Sequence, residues 1–314
     1  MSTTQLTEIP ALGKLYAGAV GNAAKSRLSP AKGTGALPAD RHVVRGAVVD
    51  LARLTDFQRL VLHSATDYLP TGYVHTFAFP VAMSLMARED FPLPLLGMVH
   101  LRNEVQHFRP IHYSEPLTIT AWAENLSGHR SGTQVELVAE VTSDGGELLW
   151  RGRSTYLAKG VFLPKIDRPA ASAPRAEFVP PLPTASWRLG ADAGRNYARV
   201  SGDFNPIHLS RLSAKALGMK RSLAHGMYLA SRVVADAVQT HQGPFEWSID
   251  FESPVFLPAT VAVSIHDEES GHDWAGTTFT GWNPRSQRRH FAGRVSPLDS
   301  AVPPAGGFAA ATRA

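Results

Sequence analysis

The segment Ser201-Gly202-Asp203-Phe204-Asn205-Pro206-Ile207-His208 places a carboxylate, an amide and an imidazole on one short stretch stiffened by proline. A plain turn is one reading, because Asn-Pro initiates turns, Ser and Asp favour them and Gly202 supplies a joint. The same turn could face Asp203 and His208 onto a common point, where an acid and an imidazole hold and activate one water. A second polar element, Ala224-His225-Gly226-Met227, stands directly before an apolar helical run, Met227–Gln239. The start of that helix carries unpaired N–H groups and partial positive charge. A carbonyl oxygen there is stabilised as it becomes an enolate, and glycine at 226 permits close approach. Together these parts suit addition or removal of water next to a thioester carbonyl. His225 reads equally as a capping or packed histidine and as a direct participant. Arg211, Lys215, Lys220 and Arg221 follow the loop and read either as a solvated helix face or as contacts for phosphate.

The elements that must position these residues come in two copies. At 314 residues the chain is comfortable for two domains. Residues 161–184 hold six prolines in 24 positions, a density that excludes regular structure and marks a linker. On either side of it the strand pattern repeats. Leu117, Ile119 and Ala121 fall opposite Val261, Val263 and Ile265, and both runs alternate as half-buried strands do. Hairpin turns follow at Asp144-Gly145-Gly146 and at Asn283-Pro284-Arg285, and the last strands echo as Trp150-Arg151-Gly152-Arg153 and Phe291-Ala292-Gly293-Arg294. Each unit opens on an apolar helix, roughly Thr76–Ala87 interrupted by Pro80 and Met227–Gln239, apolar on nearly every side and therefore wrapped by its sheet. The expected fold class is α+β: a double hotdog, two antiparallel sheets each curled around a central helix and joined side by side. The boundaries expected are a loosely ordered leader over 1–40, whose small residues also permit a short helix, a first hotdog over 41–160 and a second over 185–296. A disordered tail is expected over 297–314.

The repeat breaks upstream of the central helices. Leu60–Ser64 reads as the counterpart of Tyr197–Ser201, yet the following ATDYLPTGYVH is roughly ten residues shorter than its counterpart and has no Asn-Pro-x-His. Chemistry is therefore expected in the second half, with the first giving structure and part of a binding tunnel. With no cysteine, disulfides, thiolate metal sites and a cysteine nucleophile are excluded, and a reducing, cytoplasmic setting fits. No run approaches the about 18 apolar residues of a membrane span, and the N-terminus does not read as a signal peptide. A net charge of +4 with scattered basic residues gives no nucleic-acid pattern. Asp203, His208 and His225 lack recognised metal-ligand spacing, so no metal is expected.

The stretch Tyr197–Met227, YARVSGDFNPIHLSRLSAKALGMKRSLAHGM, resembles the signature of the MaoC-like (R)-specific enoyl-thioester hydratases and dehydratases. A weaker resemblance, carried in the first half by MVHLRNEVQHFRPIHYSEPLTITAWAENL, extends over nearly the whole chain and is similar to the two-hotdog actinobacterial 3-hydroxyacyl-thioester dehydratases. The resemblance implies Asp203 and His208 as the catalytic pair, Asn205 shaping the site, and the Gly226 N–H serving the oxyanion. Ser201 and His225 join this set as candidate substrate-binding residues. It also implies a degenerate first hotdog that makes room for the acyl chain, and a reaction without cofactor or metal. The substrate handle would be a phosphopantetheine arm on CoA or an acyl carrier protein. The chain departs from the pattern at Ser210, where many members carry an acid; Ser210 can still cap the following helix. A hotdog thioesterase, a serine hydrolase built on Ser201 and a non-catalytic acyl-thioester-binding module are the competing readings. A homodimer of double-hotdog chains stays open.

Overall fold

Strict alternation of apolar residues in each half produces long antiparallel strands, and the two halves merge into one sheet. The computed structural model describes residues 2–26, 35–170, 177–238, 243–270 and 273–298. The first half runs β1 (Thr3–Leu6), α1 (Leu12–Ser26), β2 (Arg41–Ala47), α2 (Leu51–Val61), α3 (Thr71–Met86), β3 (Met98–His107), β4 (Leu117–His129), β5 (Gly132–Ser143) and β6 (Leu148–Lys159). The second half runs β7 (Ala185–Leu189), α4 (Ala193–Ser201), α5 (Pro206–Leu209), α6 (Arg211–Ala216), α7 (Gly226–Ala237), β8 (Phe245–Phe251), β9 (Ala259–Ser270), β10 (Asp273–Trp282) and β11 (Arg289–Pro297).

The eleven strands lie in the order β1-β2-β4-β5-β6-β3-β8-β11-β10-β9-β7. Read outward from the β3–β8 pair, the order is the same in both directions, and β1 is an extra strand at one edge. The central pair is antiparallel, with Arg102 opposite Asp250 and Val105 opposite Trp247. This is the double hotdog: α3 and α7 are the two sausages, and each is buried along nearly its whole length. The repeat read in the sequence lies in register here, because Leu117, Ile119 and Ala121 on β4 and Val261 and Val263 on β9 are all fully buried. On β4 they alternate with half-exposed neighbours, as the pleat requires, whereas on β9 the intervening Ala262 and Ser264 are buried as well.

Three expectations need correction. The segment 1–40 is not simply a loose leader, since it contributes β1, paired in parallel with β2, and α1. Leu12, Leu15, Tyr16 and Ala19 recur at helical spacing and put an apolar stripe against the core, which the abundance of small residues disguised. Helix α3 begins at Thr71, ahead of the expected Thr76, and continues through Pro80. Pro70-Thr71-Gly72 looks like a turn locally, but burial of the whole segment outweighs one lost helical hydrogen bond. Strand β11 extends to Pro297 and Leu298 still donates to the Pro244 carbonyl, so the expected tail does not begin at 297. The remainder of that tail, and residues 171–176 of the linker, lie outside the described residues. The described parts of the linker carry no helix or strand before β7.

Candidate active site

Helix α4 ends on Gly202 in the left-handed conformation, φ 77°, which turns the chain abruptly after Ser201. The Ser201 hydroxyl donates to the Tyr197 carbonyl at 2.8 Å and accepts from the Asp203 N–H at 3.1 Å. It is buried and directed at the backbone, so Ser201 braces the loop. It also makes no nucleophile–base pair with His208, which removes the serine-hydrolase arrangement. Asn205 caps α5 through its side-chain oxygen, which accepts from the Ile207 N–H at 3.4 Å. Ser210 caps α6, accepting from the Ser213 N–H at 3.0 Å, and so does the work expected of it. Helix α5 lies tight on α4: a Cβ at Gly194 would stand 2.1 Å from the His208 carbonyl oxygen, so only glycine admits this approach.

These caps and turns bring Asp203, His208 and His225 together, with one side-chain donor or acceptor atom of each lying within 4.8 Å of the others. His208 Nδ1 lies 2.9 Å from the Leu223 carbonyl. A carbonyl only accepts, so Nδ1 carries the proton and the neutral ring keeps its lone pair on Nε2. By the same logic His225 Nε2 donates to the Asp203 carbonyl at 3.0 Å. Its Nδ1 is buried and finds no partner among the described residues. The two imidazoles stack with centroids 3.7 Å apart. His225 is the residue before α7 but makes no side-chain cap there. It fixes the Asp203 backbone and supports the His208 ring from one side.

Burial sets the electrostatics. It pushes the Asp203 carboxyl above its usual range, opposed by nearby His208, a hydrogen bond from Tyr16 and one from the Asn205 N–H. It pushes His208 below its usual range, opposed by Asp203 and by the bond to Leu223. It lowers His225 further, and His208 adds to that effect. An acid moved up and a base moved down draw their proton affinities together, as a pair that exchanges protons with a reactant requires.

Gly226 is the first residue of α7, so its N–H has no acceptor a turn back within the helix. The Phe251 ring covers it so closely that an added Cβ would sit 3.0 Å away. Phe251 in turn lies against His100 of β3, and His100 stacks on Tyr156 of β6, with centroids 5.0 and 4.5 Å apart. The first half thus supplies one wall of the site. Tyr156 also lines a cavity of about 10 Å³ between α3 and the sheet, with Ala78, Ala82, Leu137, Ala139 and Trp150. Arg211, Lys215, Lys220 and Arg221 are all solvent-exposed, on or after α6.

Residues 172–280 match the MaoC like domain. A 3-hydroxyacyl-thioester dehydratase X of Mycobacterium tuberculosis is 31% identical over 241 residues, which cover 76% of this chain and 85% of that protein. The chain belongs to the MaoC-like family. The crystal structure of HtdX from the same organism superposes with a TM-score of 0.70 at 28% identity, covering 82% of this chain and all of that one. An (R)-specific enoyl-CoA hydratase of Aeromonas caviae is 33% identical over 84 residues, 26% of this chain and 63% of that protein.

Two residues of this MaoC-like site escaped the sequence reading. Tyr156 sits in β6, a strand buried on both faces, and nothing local marks it. Tyr16 lies on α1, and its hydroxyl donates to Asp203 Oδ1 at 2.9 Å across 187 residues of chain. The helical spacing of Leu12, Leu15, Tyr16 and Ala19 was the one available signal, and it points to burial without naming a partner. Among the described residues, no helix is long and apolar enough to cross a membrane.

Proposed function

We propose that this protein catalyses the reversible hydration of trans-2-enoyl thioesters to (R)-3-hydroxyacyl thioesters in fatty-acid metabolism. The observation that carries the reading is the meeting of a half-buried carboxylate, Asp203, with a half-buried imidazole, His208, whose Nδ1–H is tied to Leu223 and whose Nε2 is left to work. In the hydration direction the pair holds one water. Its oxygen bonds to C3 as one of its protons leaves to the pair, and the pair returns one proton to C2 on the same face. The C2–C3 π electrons and the carbonyl pass through an enolate, whose oxygen the Gly226 N–H and the start of α7 stabilise. The overall change is gain of one water, and the pair ends in the protonation state in which it began. Asp203 and His208 titrate as one coupled unit in this scheme.

The acyl chain extends past Tyr156 toward the small cavity of about 10 Å³ beside α3, a size that favours short chains. The thioester's phosphopantetheine arm, on CoA or a carrier protein, leaves past the exposed cations Arg211, Lys215, Lys220 and Arg221. Incubation with crotonyl-CoA, followed by absorbance of the conjugated thioester and by product analysis, tests the proposal. Loss of the double bond with the thioester intact supports it, and Asp203→Asn and His208→Gln should each abolish that loss while leaving the fold intact. Release of free CoA would instead mark a thioesterase, and normal turnover in either variant would sink the assignment.

A further inference from the structure

The carboxylate of Asp203 has two oxygens in unlike surroundings. Oδ1 accepts from the Tyr16 hydroxyl at 2.9 Å and from the Asn205 N–H at 3.2 Å. Oδ2 lies 3.7 Å from His225 Nε2, too far for a hydrogen bond, and the proton of that nitrogen is already given to the Asp203 carbonyl. Tyr16 is only 6% exposed, so its hydroxyl has been taken out of water and set on this one oxygen. Phenylalanine would fill the same apolar space on α1 without that desolvation cost. The groups facing Asp203 are Tyr156 from β6, Tyr197 from α4, His208 from α5 and His225 before α7, with the Arg53 guanidinium of α2 beside Gly202. Arg53 Nε is engaged with the Val200 carbonyl at 2.6 Å.

We infer that Tyr16 is a positioning residue of the reaction: from the N-terminal helix it occupies Asp203 Oδ1, favours the ionised carboxylate and leaves Oδ2 as the oxygen that receives the water. The inference rests on the reading of Asp203 as half of the hydrating pair. Burial and the neighbouring Asp203 hold the Tyr16 hydroxyl far above its usual pKa, so it stays a neutral donor across the working pH range. Its hydrogen bond is one of the effects that oppose the upward push of burial on Asp203, and removing it must move the Asp203 titration upward.

Tyr16→Phe keeps the ring and removes the donor. The expected result with crotonyl-CoA is a kcat lowered about tenfold at little change in KM, with the acid limb of kcat/KM moved up by about one pH unit. The same variant, labelled with ¹³C at aspartate carboxyl carbons, should show the Asp203 signal, assigned by its loss in Asp203→Asn, titrating at higher pH than in the wild type. Should Tyr16→Phe fail to fold, Tyr16→Met carries the same two measurements. A folded variant whose acid limb and carboxyl titration both stay in place overturns the inference, since loosened packing alone lowers activity without moving either. Turnover that survives Asp203→Asn defeats the functional reading instead, and the carboxyl titration still decides whether Tyr16 governs the ionisation of Asp203.

Discussion

Two stretches of this chain leave equivalent places in the fold and end in opposite states. Helix α2 stops on Leu62 and helix α4 on Gly202, both in the left-handed conformation at φ 60° and 77°. The two helices pack on each other, with Phe57 6.3 Å from Tyr197 and Arg53 bonded to the Val200 carbonyl. After Leu62 the chain passes directly through His63–Pro70 into α3. After Gly202 it inserts α5 and α6 before reaching α7. The residue following the cap is His63 in one half and Asp203 in the other. His63 bonds the neighbouring Ser64 carbonyl and borders an open cleft of about 330 Å³, with Tyr68, His107 and Asp236 also on its wall. Asp203 is covered by α1, α5 and the start of α7. The comparison teaches that the cover makes the chemistry. At Asp203 the inserted helices restrict water and bring a histidine to the carboxylate.

The largest expected effect tests that contrast directly. Asp203→Asn should lower turnover of crotonyl-CoA by about 10²–10⁴-fold, while His63→Gln, at the corresponding position of the other half, leaves it unchanged in the same assay. Loss of turnover in His63→Gln would mean that the first loop takes part after all. A smaller effect concerns the two cavities. Ala139 lines the cavity beside Tyr156, and Ala235 lines the open cleft. Ala139→Leu should reduce kcat/KM for longer enoyl chains by about tenfold relative to crotonyl-CoA, and Ala235→Leu should leave the ratio alone. Comparing rates over a series of chain lengths would show which cavity receives the acyl group.

The smallest effect is on stability. The folded-state pKa of Asp203 lies above its ordinary value of 3.8, so between those two values the folded protein holds a proton that the unfolded chain has given up. Stability associated with this residue is therefore present at pH below 3.8 and is lost as pH rises through the folded-state value. Asp203→Asn, although inactive, should be more stable at pH 7 by on the order of 1 kcal/mol, with the gain shrinking near pH 4. Thermal unfolding at the two pH values checks it. An equal or lower midpoint at pH 7 would mean that the lost charge interactions outweigh desolvation.

The duplication was legible because Leu117, Ile119 and Ala121 and their counterparts alternate strictly, and alternation depends only on neighbours along the strand. The counterpart of Tyr197–Ser201 was harder to see. Leu60–Ser64 matches it by residue type, whereas the helix caps align Leu62 with Gly202, because a left-handed cap at leucine leaves no compositional mark. Asp203, His208, Asn205 and Gly226 were legible as a group, since each sits on or beside a short segment with distinctive turn and helix-start residues. The direction of the Ser201 hydroxyl was not legible for the opposite reason: it depends on where α4 ends.

By itself, then, the amino-acid order determined the repeat, the polar loop present in one half alone and the acid–imidazole pair within it, all of which are encoded over a few residues. The tertiary structure alone decided what surrounds that pair. Tyr16 reaches it from 187 residues away, Tyr156 from the other hotdog, and His225 turns its ring under His208 and away from its own helix. Those contacts set the burial, and burial sets the protonation of the pair. No local pattern carries that information, because desolvation is a property of everything packed around a group and not of its neighbours in the chain.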